Sequence, residues 1–176
     1  MKDMRQELIS TLMNGGIAVV RTDTIYGIVA RANDESAVAR VYAAKGRNPE
    51  KSCIVLIANA EQAYGDLVPV RYDANQPTSI LIDAPQAPRW LLRANELLAH
   101  RIPNLPWLKE VISETGPLIA PSANPESLPP ARTIAEARAY FGDAVDLYVD
   151  DGEVPVDTPP SALIRVNDDG TVERLR

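Results

Sequence analysis

The chain has 176 residues and an ordinary 45% apolar content, which suits one domain with a real core and argues against disorder. Its formal net charge of −6 argues against tight, nonspecific nucleic-acid binding by overall charge, although Arg40, Lys45, Arg47 and Lys51 cluster closely enough for a local basic face. One cysteine and one histidine exclude an intrachain disulfide, a cysteine-only zinc cage and a histidine-rich metal site.

No apolar run approaches a membrane span, and the N-terminal residues are charged and amphipathic. A cytoplasmic protein with no membrane partner is expected. Residues 4–12 carry apolar side chains at helical spacing and stop at Asn14-Gly15-Gly16, a helix end. Residues 17–20 read as a short buried strand. Asn33 or Asp34 can cap a helix through Ala37, Val38, Val41, Tyr42 and Ala44 that ends at Lys45-Gly46. Residues 53–58 form a second apolar run, in which Cys53 reads as a core residue. Residues 60–67 are expected to be a short helix, ended before Pro69. Residues 79–82 and 97–102 read as strands, and 107–113 as a helix behind Pro106.

Residues 117–120 form a strand that enters the Ser122-Ala123-Asn124 turn. Thr133 and Glu136 form a capping box for a helix to Phe141. Residues 145–149, 162–166 and 171–175 read as strands, the last two joined through Asp168-Asp169-Gly170. Strands outnumber long helices, so the expected class is α/β: a single domain over residues 1–176 with a twisted, partly curled mixed sheet and flanking helices.

Three polar clusters sit at the ends of these apolar runs, where α/β proteins build ligand sites. Thr22-Asp23-Thr24-Ile25-Tyr26-Gly27 offers hydroxyls and a carboxylate suited to an ammonium or a hydroxyl; the alternative is a set of local Asx and ST turns. Lys45 and Arg47, with Lys51, can neutralise phosphate oxygens, or simply complement a helix dipole. Ser122 and Asn124 can read a carboxylate, a carbonyl or a phosphate, or satisfy their own turn. The chain has no Walker loop and no G-x-S-x-G elbow, which argues against P-loop and serine-hydrolase chemistry.

Together and in this order, the clusters resemble the YrdC/YciO family of threonylcarbamoyl-AMP synthases. That family's pattern is a Pro-Thr-(Asp/Glu)-Thr-x-Tyr-Gly turn, Lys-x-Arg, an arginine late in a strand, Ser-x-Asn, a Ser-Thr-(Ile/Val)-like segment and a closing Leu-Arg. This chain offers the turn at 22–27, Lys45-Gly46-Arg47, Arg101, Ser122-Ala123-Asn124, Ser161-Ala162-Leu163-Ile164 and Leu175-Arg176. The likeness spans nearly the whole chain.

The resemblance implies a YrdC-like curled fold with a positively lined pocket. It implies a nucleotidyltransferase reaction in which L-threonine, bicarbonate and ATP give threonylcarbamoyl-AMP and pyrophosphate. It further implies magnesium with the ATP, and downstream threonylcarbamoyl-transferase proteins that modify adenosine in tRNA. By likeness, Thr24, Arg101, Ser161 and the backbone near Ala120 contact threonine. Arg47, Lys51, Ser122, Asn124 and Arg176 face ATP, and Lys45 and Arg47 serve catalysis.

The chain departs from the pattern at Arg21 (usually proline), at residues 73–79 (usually Trp-Pro-Gly-Pro-x-Thr), at Leu97, at Glu126-Ser127 (usually Ser-Gly) and at Ala162. These departures are expected to gather on the nucleotide-facing wall. Two other readings stay open on sequence. One is a divergent YciO-type paralogue that binds tRNA or double-stranded RNA; the other is a related transfer on a different substrate.

Overall fold

In a computed structural model, residues 2–70, 72, 75–94 and 96–176 are described. Each apolar run found its partner through alternation. In β1 (Ala18–Arg21), Val19 points into one core layer while Ala18 and Val20 point into another. In β2 (Tyr26–Arg31), Ile28 and Ala30 join the first layer and Val29 the second. β3 (Val55–Leu56) and β6 (Leu118–Ile119) are two-residue strands that split the same way. Helices cover both layers. α1 (Lys2–Met13) and α4 (Pro106–Thr115) bury Leu8, Leu12, Leu108 and Ile112 on one side. α2 (Glu35–Lys45) and α5 (Ile134–Phe141) bury Val38, Val41, Ala137 and Phe141 on the other.

The remaining strands are β4 (Thr78–Asp83), β5 (Leu97–Arg101), β7 (Leu147–Tyr148), β8 (Ala162–Val166) and β9 (Val172–Arg174), with a short α3 (Arg89–Leu92) between β4 and β5. The strands form one mixed sheet in the order β7-β1-β2-β6-β3-β5-β4-β8-β9. β1 pairs antiparallel with β2, β3 parallel with β5, and β4 parallel with β8. This is the expected α/β class.

Local chemistry explains the helix ends. Asp34 accepts the Ala37 N–H at 3.0 Å, and Gly46 takes the left-handed conformation (φ 55°) that closes α2. Thr133 caps α5 by accepting the Glu136 N–H at 3.2 Å. Glu136 returns the bond one residue earlier than a standard capping box, to Arg132 N–H at 2.6 Å.

Three elements differ from the sequence expectation. The helix expected over 60–67 is a single 3₁₀ turn, Ala60–Gln62. The chain then passes so close to β4 that a Cβ on Gly65 would lie 2.0 Å from the Asp83 carbonyl oxygen, a contact that only glycine allows. β2 was hidden because its first residues read as a polar turn. α3, at four residues, is too short to show periodicity. Among the described residues, no helix is long and apolar enough to cross a membrane.

Candidate functional site

The β1–β2 connection is a tight turn. Ile25 O accepts both the Thr22 N–H (3.1 Å) and the Thr22 hydroxyl (2.8 Å), and Thr22 Oγ1 accepts the Thr24 N–H (3.2 Å). The local ST turn weighed against a ligand role is therefore present. It buries Thr22 and Thr24 against a cavity rather than in solvent. Asp23 points away and anchors the turn. Its Oδ1 lies 3.4 Å from Arg101 Nη2, and its Oδ2 accepts the Asn104 N–H at 3.0 Å. Both side chains of this ion pair are about 95% buried, with exposures of 5% and 4%. Asp23 Oδ1 and Arg101 Nε nevertheless lack a hydrogen-bond partner among the described residues. Burial pulls the Arg101 guanidinium below its usual range; Asp23 opposes that shift and Arg176 adds to it.

β2 holds the next segment edge-on. Pro121 O accepts the Ile28 N–H (3.0 Å), Tyr26 O accepts the Ala123 N–H (2.8 Å), and Gly27 faces Ser122. This delivers Ala120 and Ser122 to the cavity. Lys45 lies beneath. Its buried ammonium donates to Ser122 O and Asn124 O at 2.5 Å, and more weakly to Asn124 Oδ1 at 3.4 Å. Burial lowers its pKa to about 8, and neighbouring Arg47 pushes it the same way. Lys45 thus braces the 122–124 turn. The Asn124 amide likewise braces a turn, donating to Pro125 O and Leu128 O.

Arg47 follows the α2 cap. It donates to the Lys51 and Ser52 carbonyls (3.3 and 2.7 Å) and is partly exposed to the cavity. Lys51 lies at the rim, with its ammonium 2.5 Å from Glu126 Oε1; Glu126 Oε2 also accepts the Asn48 N–H. Those two donors hold the Glu126 carboxyl below its usual value. Across the cavity, Arg176 donates to Ser161 O (3.0 Å) and Ser161 Oγ (3.2 Å), and Ser161 Oγ sits 2.9 Å from the buried Ser79 hydroxyl.

These elements enclose a cleft of about 610 Å³. Thr24, Arg47, Arg101, Ala120, Ser122, Ser161 and Arg176 line it, whereas Lys45, Lys51 and Asn124 stand behind or beside it. Arg132 also lines it, held by Val154 O at 3.0 Å and by the Glu153 carboxylate. Sequence reading missed Arg132, although it directly follows the Pro129-Pro130-Ala131 wall. Among the described lining residues there are four arginines and no aspartate or glutamate. The described acidic residues thus lie off the cleft lining, with Asp23 and Glu153 pairing with two of its arginines. No group of three or more histidine, cysteine, aspartate or glutamate side chains converges as a metal site among the described residues.

Among the described residues, the sequence departures do not line this cleft. Arg21 turns to Asp151 O at 2.8 Å. Gln76, Pro77 and Thr78 line a different cavity of about 520 Å³, while Asp73 and Ala74 of the same stretch lie outside the described residues. Glu126 is at the Lys51 rim. Ser127 takes φ 75°, the left-handed conformation that the family's usual glycine suits.

A profile of the Sua5/YciO/YrdC family, described under telomere recombination, matches residues 10–176. A threonylcarbamoyl-AMP synthase of Halorhodospira halophila is 32% identical over 148 residues, covering 78% of each chain. The structure of P. abyssi Sua5 complexed with L-threonine superposes on the whole chain with a TM-score of 0.84 at 24% identity; the present chain spans 54% of that protein. E. coli YciO superposes with a TM-score of 0.80 at 19% identity, covering all of this chain and 89% of its own. Likeness at those two identities speaks for the fold alone.

Proposed function

Because this chain belongs to the Sua5/YciO/YrdC family, we propose that it converts L-threonine, bicarbonate and ATP into threonylcarbamoyl-AMP, pyrophosphate and water. The observation that carries this reading is a cleft whose described lining residues include four arginines and no aspartate or glutamate, with paired hydroxyls at 22–24 and at Ser161. The reaction brings anions together. The threonine amine condenses with bicarbonate, losing water, to give a carbamate. A carbamate oxygen then attacks the α-phosphorus of ATP, and the bond to pyrophosphate breaks. Fixed guanidinium groups offset the repulsion without reorganising during the step.

In this reading Arg101 takes the threonine carboxylate, with Thr24, Ser161 and the Ala120 backbone around the rest of the amino acid. Arg47, Ser122 and Arg176 face the nucleotide. Lys45 and Asn124 act by holding the 122–124 turn, and Lys51 acts at the rim once released from Glu126. Magnesium arrives as part of the nucleotide substrate, since the described lining offers no carboxylate to hold it. The adenylate would then serve a separate transferase acting on adenosine in tRNA. The named relatives favour this reading over an RNA-binding role without chemistry.

The test is pyrophosphate release by purified protein, with each substrate omitted in turn. Release that needs ATP, L-threonine and bicarbonate together supports the proposal. No release from folded protein would defeat it, and salt-dependent RNA binding in that sample would favour the rival.

A further inference from the structure

A threonine hydroxyl has one proton to give and two lone pairs to receive. In Thr22 all three are used. Its proton goes to Ile25 O at 2.8 Å, the shortest of its contacts. One lone pair takes the Thr24 N–H at 3.2 Å. The contact between the two hydroxyls, at 3.0 Å, can then run only one way: Thr24 donates and Thr22 accepts. Both residues are buried and line the cleft. Thr24 therefore presents to the cleft a hydroxyl whose proton is already committed and whose lone pairs receive no hydrogen bond from the described residues.

We propose that Thr22 is a specificity-determining residue: by fixing the Thr24 proton it makes Thr24 an acceptor only, matched to a hydrogen-bond donor on the bound amino acid. This rests on the functional reading above and adds polarity to it. The guanidinium of Arg101 can only donate, so it suits the carboxylate end. Thr24 can only accept, so it suits the amino or hydroxyl end. An amino acid entering the wrong way round would set donor against donor at Arg101 and acceptor against acceptor at Thr24. The turn cannot relax to allow this, because Asp23, between the two threonines, is tied to both Arg101 and the Asn104 backbone. With valine at position 22, the Thr24 proton loses its acceptor and swings into the cleft, opposing the substrate donor.

Calorimetric titration of L-threonine into the whole protein tests this with Thr22→Val, Thr24→Val, the double variant and Thr22→Ser. Thr22→Val is expected to weaken L-threonine by roughly tenfold, the scale of one hydrogen bond with an unpaired partner, and to leave ATP titrated alone unchanged. Thr22→Ser restores the hydroxyl and the affinity. The double variant binds no more weakly than Thr24→Val, because Thr22 acts only through Thr24. A residue that merely held the turn would give additive losses. Repeating the series with L-2-aminobutyrate assigns the donor: a persisting loss points to the amino group, and a loss confined to L-threonine points to the side-chain hydroxyl. Wild-type affinity in Thr22→Val, equal loss of ATP and L-threonine, or additive losses would overturn the proposal while leaving the functional reading intact. Wild-type protein that binds no L-threonine would overturn both.

Discussion

β4 and β5 separate two cavities of similar size and different charge. Leu81, Ala99 and Arg101 face the larger one; Ile80, His100 and Ile102 face the other. The first cavity gathers four arginines. The second has no arginine among its described lining residues; it mixes prolines and aliphatic residues with the side chains of Asn75, Gln76, Thr78, His100 and Asn104, and carries Asp23 and Lys109. A two-residue period is enough to give one pair of strands an arginine-lined side and a side without arginine among the described residues. The Asp23–Arg101 pair lies on the boundary, its arginine lining one cavity and its aspartate the other. Volume therefore says little about where chemistry occurs, and the sign and fixity of the lining charges say much more.

The contrast can be broken at the boundary first. Arg101→Ala should be the most damaging change, because it strands the Asp23 carboxylate in a site with almost no solvent. A loss of about 3–5 kcal/mol in urea denaturation is expected, together with loss of threonine-dependent turnover. Adding Asp23→Asn should recover much of the stability and none of the turnover.

The side without arginine has its own signature. His100 is fully buried and neutral, accepting the Tyr64 N–H at Nε2 and donating from Nδ1 to Leu98 O. Burial lowers its pKa from 6.5 to about 4. Between those values the unfolded chain binds a proton that the folded chain refuses. Its contribution is therefore complete above pH 6.5 and is lost as pH falls toward 4, by up to roughly 3 kcal/mol. Denaturation midpoints across that window should fall less steeply in His100→Gln.

On the cleft side, Arg47→Ala should leave the fold intact, because this partly exposed side chain donates to neighbouring loop carbonyls and otherwise lies 5.8 Å from the Tyr42 ring centre. Pyrophosphate release should fall on the order of a hundredfold. Retained release would remove Arg47 from the phosphate side. Outside the described lining of both cavities, Ser127→Gly relieves an exposed left-handed residue at the rim and should raise stability by roughly 0.5–1 kcal/mol in thermal melts with turnover unchanged.

The sheet class and most strands were legible in the sequence because buried strands write themselves as apolar runs, as at residues 17–20. β2 was not, since Tyr26 and Gly27 belong both to a turn motif and to a strand. The cleft was legible as an ordered set of polar clusters at strand ends. The direction of the Lys45 side chain was not. A Lys-x-Arg spacing places two cations near one another, but only the packing of the 122–124 turn sends one ammonium to backbone carbonyls and leaves the other group on the cleft. Arg132 was missed for a similar reason. It follows a proline wall whose position depends on the contact of Ala131 N–H with Ala123 O, eight residues back.

The most direct measurement is mass spectrometry of the product that purified protein forms from isotopically labelled bicarbonate, L-threonine and ATP. A threonylcarbamoyl-AMP that carries the label in wild-type protein and is absent in Arg101→Ala with Asp23→Asn is the predicted result. A folded wild-type protein that forms no labelled adenylate would contradict the assignment of this cleft.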